Sequence, residues 1–198
     1  MIIDVSKYQG NIDWKTVKAN NPKIEGVYIK ATEGVGYTDP KLEKNATGAS
    51  AVNLDIGFYH FATLNSADVI KDSAAEAKAF YNAIKKYKFQ MPCVLDIERN
   101  DAKVSPENVL KYIQNFVLTM QLYGINDVIL YSYTPFLDAN LPKNHDLGRI
   151  LHLWIAAYTP TLKLPRGWGL YYLWQYSSKG RVDGIVGDVD LNKKPGEK

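Results

Sequence analysis

The chain has 198 residues, 46% hydrophobic and 23% charged, a balance that suits one globular domain with a sizeable core and excludes a low-complexity or disordered polymer. Its formal net charge of +3 comes without a basic run interleaved with aromatics, so nucleic acid is not an expected partner, and the lysines read as a solvated exterior. No apolar stretch approaches the roughly 18 residues of a membrane span, and the single cysteine, Cys93, excludes an internal disulfide.

The first apolar run, Ile2–Val5, reaches Asp4 at once, with no signal peptide ahead of it. Further strand candidates follow at Gly26–Thr32, Leu54–Phe61, Pro92–Glu98, Val128–Tyr133, Leu151–Tyr158, Tyr171–Ser177 and Val189–Leu191. Runs this short and this apolar read as strands buried on both faces. Asp13–Asn20 and Asp39–Asn53 read as modest helices between the early strands. Ala67–Tyr87 is stronger, with Ile70, Ala74, Ala77, Tyr81 and Ile84 on one predicted apolar face. Ser105-Pro106-Glu107 opens the next helix with a capping serine and a proline at the first helical position, and Gly124 ends it. A short helix is expected after Pro135. Cys93 lies in the apolar run Met91–Leu95 and reads as a buried structural thiol.

Strand–helix alternation predicts parallel strands joined by right-handed crossovers. After Tyr158 the spacings are too short for full helices. The chain therefore reads as an α/β fold, an irregular TIM-like barrel of eight strands and about five helices whose last strands lack full helices; an open doubly wound sheet is the rival arrangement. Residues 1–192 form the expected domain, and 193–198 a polar tail or linker stub.

Catalytic groups in such barrels gather at the carboxyl ends of the strands. There the sequence places acids: Asp4 in the first strand, Asp96 and Glu98 at the fourth, Asp188 and Asp190 about the last. An unpaired carboxylate in an apolar strand is costly to bury, so such residues are candidates for function. Asp96 and Glu98 alternate with Leu95 and Ile97 and so project to one face, where each disfavours ionisation of the other. One should hold a proton near neutral pH, as a general acid must. A structural pairing with Arg99 or a lysine is the alternative, and a carboxylate cluster could instead hold a hard cation such as calcium or magnesium. His60, His145 and His152 lack zinc-ligand spacing, His60 reads as a hydrogen-bonded core residue, and Gly34-Val35-Gly36 reads as a turn; no metal and no cofactor are expected. The strand ends also carry aromatics, including Tyr59, Tyr131, Tyr133, Trp154, Tyr158, Trp174 and Tyr176, suited to stacking on sugar rings and bonding their hydroxyls.

Several segments together resemble the glycoside hydrolase family 25 lysozymes. They are Asp4-Val5-Ser6, Gln9-Gly10, Ile12-Asp13-Trp14, Lys30-Ala31-Thr32-Glu33-Gly34, Gly57-Phe58-Tyr59-His60-Phe61, Leu95-Asp96-Ile97-Glu98, Leu153-Trp154-Ile155-Ala156, Trp174-Gln175-Tyr176 and Val189-Asp190-Leu191-Asn192. The resemblance implies a muramidase of endolysin or autolysin type, cleaving the β-1,4 bond between N-acetylmuramic acid and N-acetylglucosamine in bacterial peptidoglycan, at the cell wall. It implies Glu98 as general acid with Asp96 assisting, Asp4 and Asp190 as supporting acids, and Tyr59, Tyr131, Trp154 and Gln175 as sugar contacts. Substrate assistance by the 2-acetamido group is the expected mechanism, although Val94 stands where family 18 chitinases carry a further Asp. The absence of an aromatic after Asn192 suggests that the last strand stops early, and an additional wall-binding module is expected outside this chain. A catalytically silent wall-binding module of a phage tail or larger wall protein, and a different glycosidase such as a chitinase, are the alternatives.

Overall fold

The computed structural model describes residues 1–197. Nine strands form one sheet: β1 (Ile2–Val5), β2 (Gly26–Glu33), β3 (Tyr37–Thr38), β4 (Asp55–Phe61), β5 (Cys93–Asp96), β6 (Val128–Tyr133), β7 (Leu153–Ala156), β8 (Leu173–Gly180) and β9 (Val189–Lys193). Spatially they run β1-β9-β8-β7-β6-β5-β4-β2-β3, and an additional pairing of β1 with β2 closes eight of them into a barrel. That closure removes the open doubly wound sheet. The strands from β1 to β8 that build the barrel are parallel to their neighbours.

Two features depart from the expected all-parallel barrel. The last strand, β9, is antiparallel to both β1 and β8. Only residues 181–188 link it to β8, fewer than the dozen or so a parallel crossover needs, so the chain turns straight back. It also runs through Lys193, which pairs with Trp174, so the strand does not stop early and Lys193 is not part of the tail. Residues 194–197 follow it, and Lys198, the end of the expected tail, lies outside the described residues. The second departure is β3, which pairs antiparallel with Thr32 and Glu33 at the end of β2. Gly34, at φ 53°, makes the intervening turn.

Five helices accompany the strands: α1 (Trp14–Asn20), α2 (Leu42–Ala51), α3 (Val69–Ile84), α4 (Pro106–Leu122) and α5 (Thr134–Asn140). As the sequence predicts, Ser105 caps α4 by accepting from Asn108 N at 3.4 Å, and Gly124 follows the helix in a left-handed conformation at φ 85°. In α3 the buried face differs from the predicted one. Ile70 is 49% exposed, whereas Val69, Ser73, Glu76, Ala77, Phe80 and Ile84 are buried. The helix turns this way because Glu76 meets a buried hydrogen-bond partner on β4, and an unpaired buried acid would cost more than an exposed isoleucine.

The barrel wall and helices enclose the main core, in which Phe58, Phe80, Phe116 and Tyr112 lie beside Leu95 and Ile113. A smaller cluster of Ile2, Tyr28, Val94, Ile129, Tyr131, Trp154 and Leu173 fills the barrel itself. Cys93 is fully buried, and burial pushes its thiol well up, which makes it inert packing.

Candidate active site

Strand register brings the acids together. Asp4 of β1 sits opposite Asp190 of β9. Asp96 closes β5 between Phe61 of β4 and Tyr131 of β6. Beyond Asp96 the chain stays tied to β6: Ile97 N donates to Tyr131 O at 3.0 Å, and Ser132 Oγ donates to Ile97 O at 2.6 Å. Glu98 is thereby kept over the barrel mouth although regular strand has ended. One groove of ≈ 480 Å³ is lined by all four acids and by Tyr59, Tyr131, Trp154 and Gln175, the eight residues singled out from the sequence. Lys30, Asp188 and Tyr158 share its wall.

A hydrogen-bond lattice holds Asp4. Its Oδ2 accepts from Gln175 Nε2 at 3.0 Å and from Asn192 Nδ2 at 2.7 Å. Both amides are themselves oriented. Gln175 Oε1 accepts from the hydroxyls of Tyr131 (2.9 Å) and Tyr158 (2.6 Å), and Asn192 Oδ1 accepts from Trp154 Nε1 at 2.7 Å. Trp154, 2% exposed, packs between Tyr28 and Tyr131 with ring centroids 4.7 and 4.8 Å away. Trp154 and Gln175 thus form the floor of the groove with their polar atoms bonded to protein, while Tyr158 stands half out of it at 56% exposure.

Burial dominates the acids' proton affinities. It pushes Asp4 up to about 8, with the charge of Asp190 adding to the effect and the Asn192 and Gln175 hydrogen bonds opposing it. Asp96 is raised well above the usual carboxylate range by burial and then by Glu98, against the opposing Lys30 ammonium. Glu98 is raised by burial, opposed by its hydrogen bond with Asp96 and by Lys30. Asp190 is raised by burial, with its hydrogen bond to Asp4 opposing. Two adjacent carboxyls facing one another disfavour each other's ionisation, so in each pair the second proton is harder to remove than the first.

Asp96 Oδ1 is buried with no hydrogen-bond partner. A buried carboxylate oxygen without a donor is suited to a carboxyl that carries a proton, and Glu98 is the neighbouring carboxyl. Among the described residues no group of three or more His, Cys, Asp or Glu side chains is arranged to hold a metal ion, and no helix is long and apolar enough to cross a membrane.

Lys30 is the functional-looking residue the sequence reading left unassigned. It is a charge embedded in the otherwise buried β2, the same signal that marked the acids. Asn192, fully buried and bonded to Asp4, had only its place in the Val189–Asn192 segment to mark it.

A closed β/α barrel with carboxyl pairs and aromatic rings at its mouth defines the class, a barrel whose mouth carries the groups that acid–base chemistry needs. The family model described as glycosyl hydrolases family 25 matches residues 3–185, and the chain belongs to that family. It is 36% identical to the autolytic lysozyme of Clostridium acetobutylicum over 96% of this chain and 54% of that protein. It is 32% identical to lysozyme M1 of Streptomyces globisporus over 96% of this chain and 66% of that one. The chain thus spans about half to two thirds of the length of these relatives. Among solved structures, the bacterial lysozyme from Streptomyces coelicolor superposes with a TM-score of 0.88 at 31% identity, covering 98% of this chain and 91% of that one.

Proposed function

We propose that this chain hydrolyses the β-1,4 bond between N-acetylmuramic acid and N-acetylglucosamine in bacterial peptidoglycan, acting at the cell wall as the catalytic unit of a lysozyme. The observation that carries the reading is the Asp96–Glu98 pair lining the groove at the barrel mouth, both carboxyls raised by burial. The family and its lysozyme relatives support the substrate class. The greater length of those relatives supports a protein in which this unit works beside a further, wall-binding segment. No observation favours a catalytically silent module, whose groove would not need four acids raised by burial.

The chemistry follows from the proton. When the acetamido N–H of the sugar docks on the Asp96 carboxylate, its hydrogen bond favours the charged form of Asp96 and leaves the shared proton on Glu98. The acetamido carbonyl oxygen then bonds to the anomeric carbon as the bond to the leaving oxygen breaks, and Glu98 gives that oxygen its proton. Asp96 stabilises the positive charge on the cyclised acetamide. Water next attacks the anomeric carbon, the ring opens back to the acetamide, and Glu98 takes the proton from the water. Two displacements at one carbon give net retention. Asp190 and Asp4 hold water or substrate hydroxyls and set the field of the groove. Tyr59 and Tyr131 contact the sugar, and Trp154 and Gln175 keep the floor and the acids in place.

The test is incubation with purified peptidoglycan, measurement of new reducing ends, and mass spectrometry of the products. Reducing N-acetylmuramic acid is expected. Reducing N-acetylglucosamine would reassign the enzyme as a glucosaminidase, and binding without new reducing ends would refute hydrolysis.

A further inference from the structure

Lys30 and Glu33 are three residues apart in β2, a spacing that in regular strand sends side chains to opposite faces. Here Lys30 Nζ lies 2.6 Å from Glu33 Oε2. The reason is a β-bulge: Lys30 pairs with Tyr59 and Thr32 with His60, so Ala31 is the extra residue. The bulge reverses the alternation. Glu33 comes to the side of the sheet shared by Lys30, Tyr59 and Phe61, where the ammonium also sits 4.8 Å from the Phe61 ring.

The phase of the bulge is fastened from both directions. The Ala31 carbonyl accepts from Asp39 N at 2.9 Å. Thr32 Oγ1 lies 2.8 Å from His60 Nδ1, and His60 Nε2 lies 2.6 Å from Glu76 Oε2. His60 and Glu76 are fully buried, and Thr63 anchors Glu76 further through its hydroxyl at 2.6 Å. None of these side chains lines the groove, and no step of the proposed reaction uses them.

Resting on the family 25 reading above, we propose that the Ala31 bulge is a positioning device for the acid pair: it brings Glu33 to the Lys30 side of the strand, where it holds the Lys30 ammonium at the groove that Asp96 and Glu98 line, and Thr32, His60 and Glu76 lock it in that phase. Thr32, His60 and Glu76 are positioning residues acting through Lys30. The other ionisable groups lining the groove with Asp96 and Glu98 are Asp4 from β1, Tyr8 after β1, Tyr59 from β4, Tyr131 from β6, Tyr158 beyond β7, Asp188, which is paired with Arg181, and Asp190 from β9. Of the groove-lining residues, Lys30 is the cation, so it opposes the upward push that these acids and burial give the pair.

The experiment compares Lys30→Met, Thr32→Val, Thr32→Ser and the Lys30→Met/Thr32→Val double variant. Two readouts are used: the pH profile of peptidoglycan hydrolysis, and the carbon-13 titration of the Asp96 and Glu98 carboxyls in the free protein. Loss of the cation raises the upper proton affinity of the pair, so Lys30→Met should move the alkaline limb to higher pH by roughly one unit. Thr32→Val, which removes the hydroxyl bonded to His60, should shift it the same way by less, and Thr32→Ser should restore the wild-type profile. In the Lys30→Met background Thr32→Val should shift nothing further. An unmoved limb in Lys30→Met, or an equal Thr32→Val shift with and without Lys30, overturns the proposal. The carboxyl titration needs no turnover, so it decides the matter even if peptidoglycan proves not to be the substrate.

Discussion

Asp4→Asn should make the protein more stable. Asp4 is buried among groove acids, and its proton affinity rises from 3.8 to about 8. A carboxyl raised on folding favours the proton-bound form, so the stability it leaves intact at low pH is lost as pH climbs from the unfolded value towards the folded one. At pH 7 the cost is 2.303RT over the interval from 3.8 to 7, about 4 kcal/mol; at pH 5 it is about 2 kcal/mol. Asparagine has the shape of protonated aspartate. Its carbonyl can accept from Gln175 and Asn192 as Oδ2 now does, and its amide can donate to Asp190. Urea denaturation of both proteins at pH 5 and pH 7 should give a variant more stable by about 4 kcal/mol at pH 7 and by about half that at pH 5. For a chain of this size the larger figure corresponds to a rise on the order of 10 °C in Tm. A gain independent of pH, or a loss at both values, would refute the account of Asp4 as a carboxyl held protonated by burial.

Glu98→Gln should lower hydrolysis at least ~10³-fold while changing the unfolding free energy by no more than about 1 kcal/mol, if Glu98 is the proposed general acid; near-normal turnover would remove Glu98 as the acid. Asp96→Asn should cost about 10²-fold or more in kcat, and proton NMR of the first product of the wild-type enzyme should show the retained anomer, an inverted one excluding acetamido participation. Burial pushes Glu76 up, but the His60 and Thr63 hydrogen bonds win and hold it below its ordinary 4.5, so its stabilisation is present above that pH and lost as pH falls through the lower folded value. Glu76→Gln should therefore destabilise the fold by about 3 kcal/mol at pH 7 and flatten its acid-unfolding limb, and an unchanged limb would refute the pairing. Phe116→Ala, emptying a buried site that stacks on His60 and Phe80, should cost about 3–5 kcal/mol in urea denaturation.

What the sequence determined unaided was the kind of structure and the choice of acids. Continuous β-branched and aromatic runs such as Val128–Tyr133 read as strands covered on both faces, and the Ser105-Pro106 opening and Gly124 stop bound α4 because capping is a local matter. Asp4, Asp96 and Asp190 stood out because a carboxylate in an apolar strand needs a reason to be there. Only the tertiary structure decided the pairings. Asp4 and Asp190 lie at opposite ends of the chain, and their register depends on β9 turning back antiparallel, a consequence of how few residues join it to β8. The inward face of α3 was set by His60 finding Glu76, a partner that apolar periodicity does not record. The pairing of Lys30 with Glu33 was decided only when a bulge one residue long put Glu33 on its side of the strand. Periodicity and capping act over a few residues and can be read along a chain; proton sharing, register and bulge phase arise from side chains that meet only after it has closed.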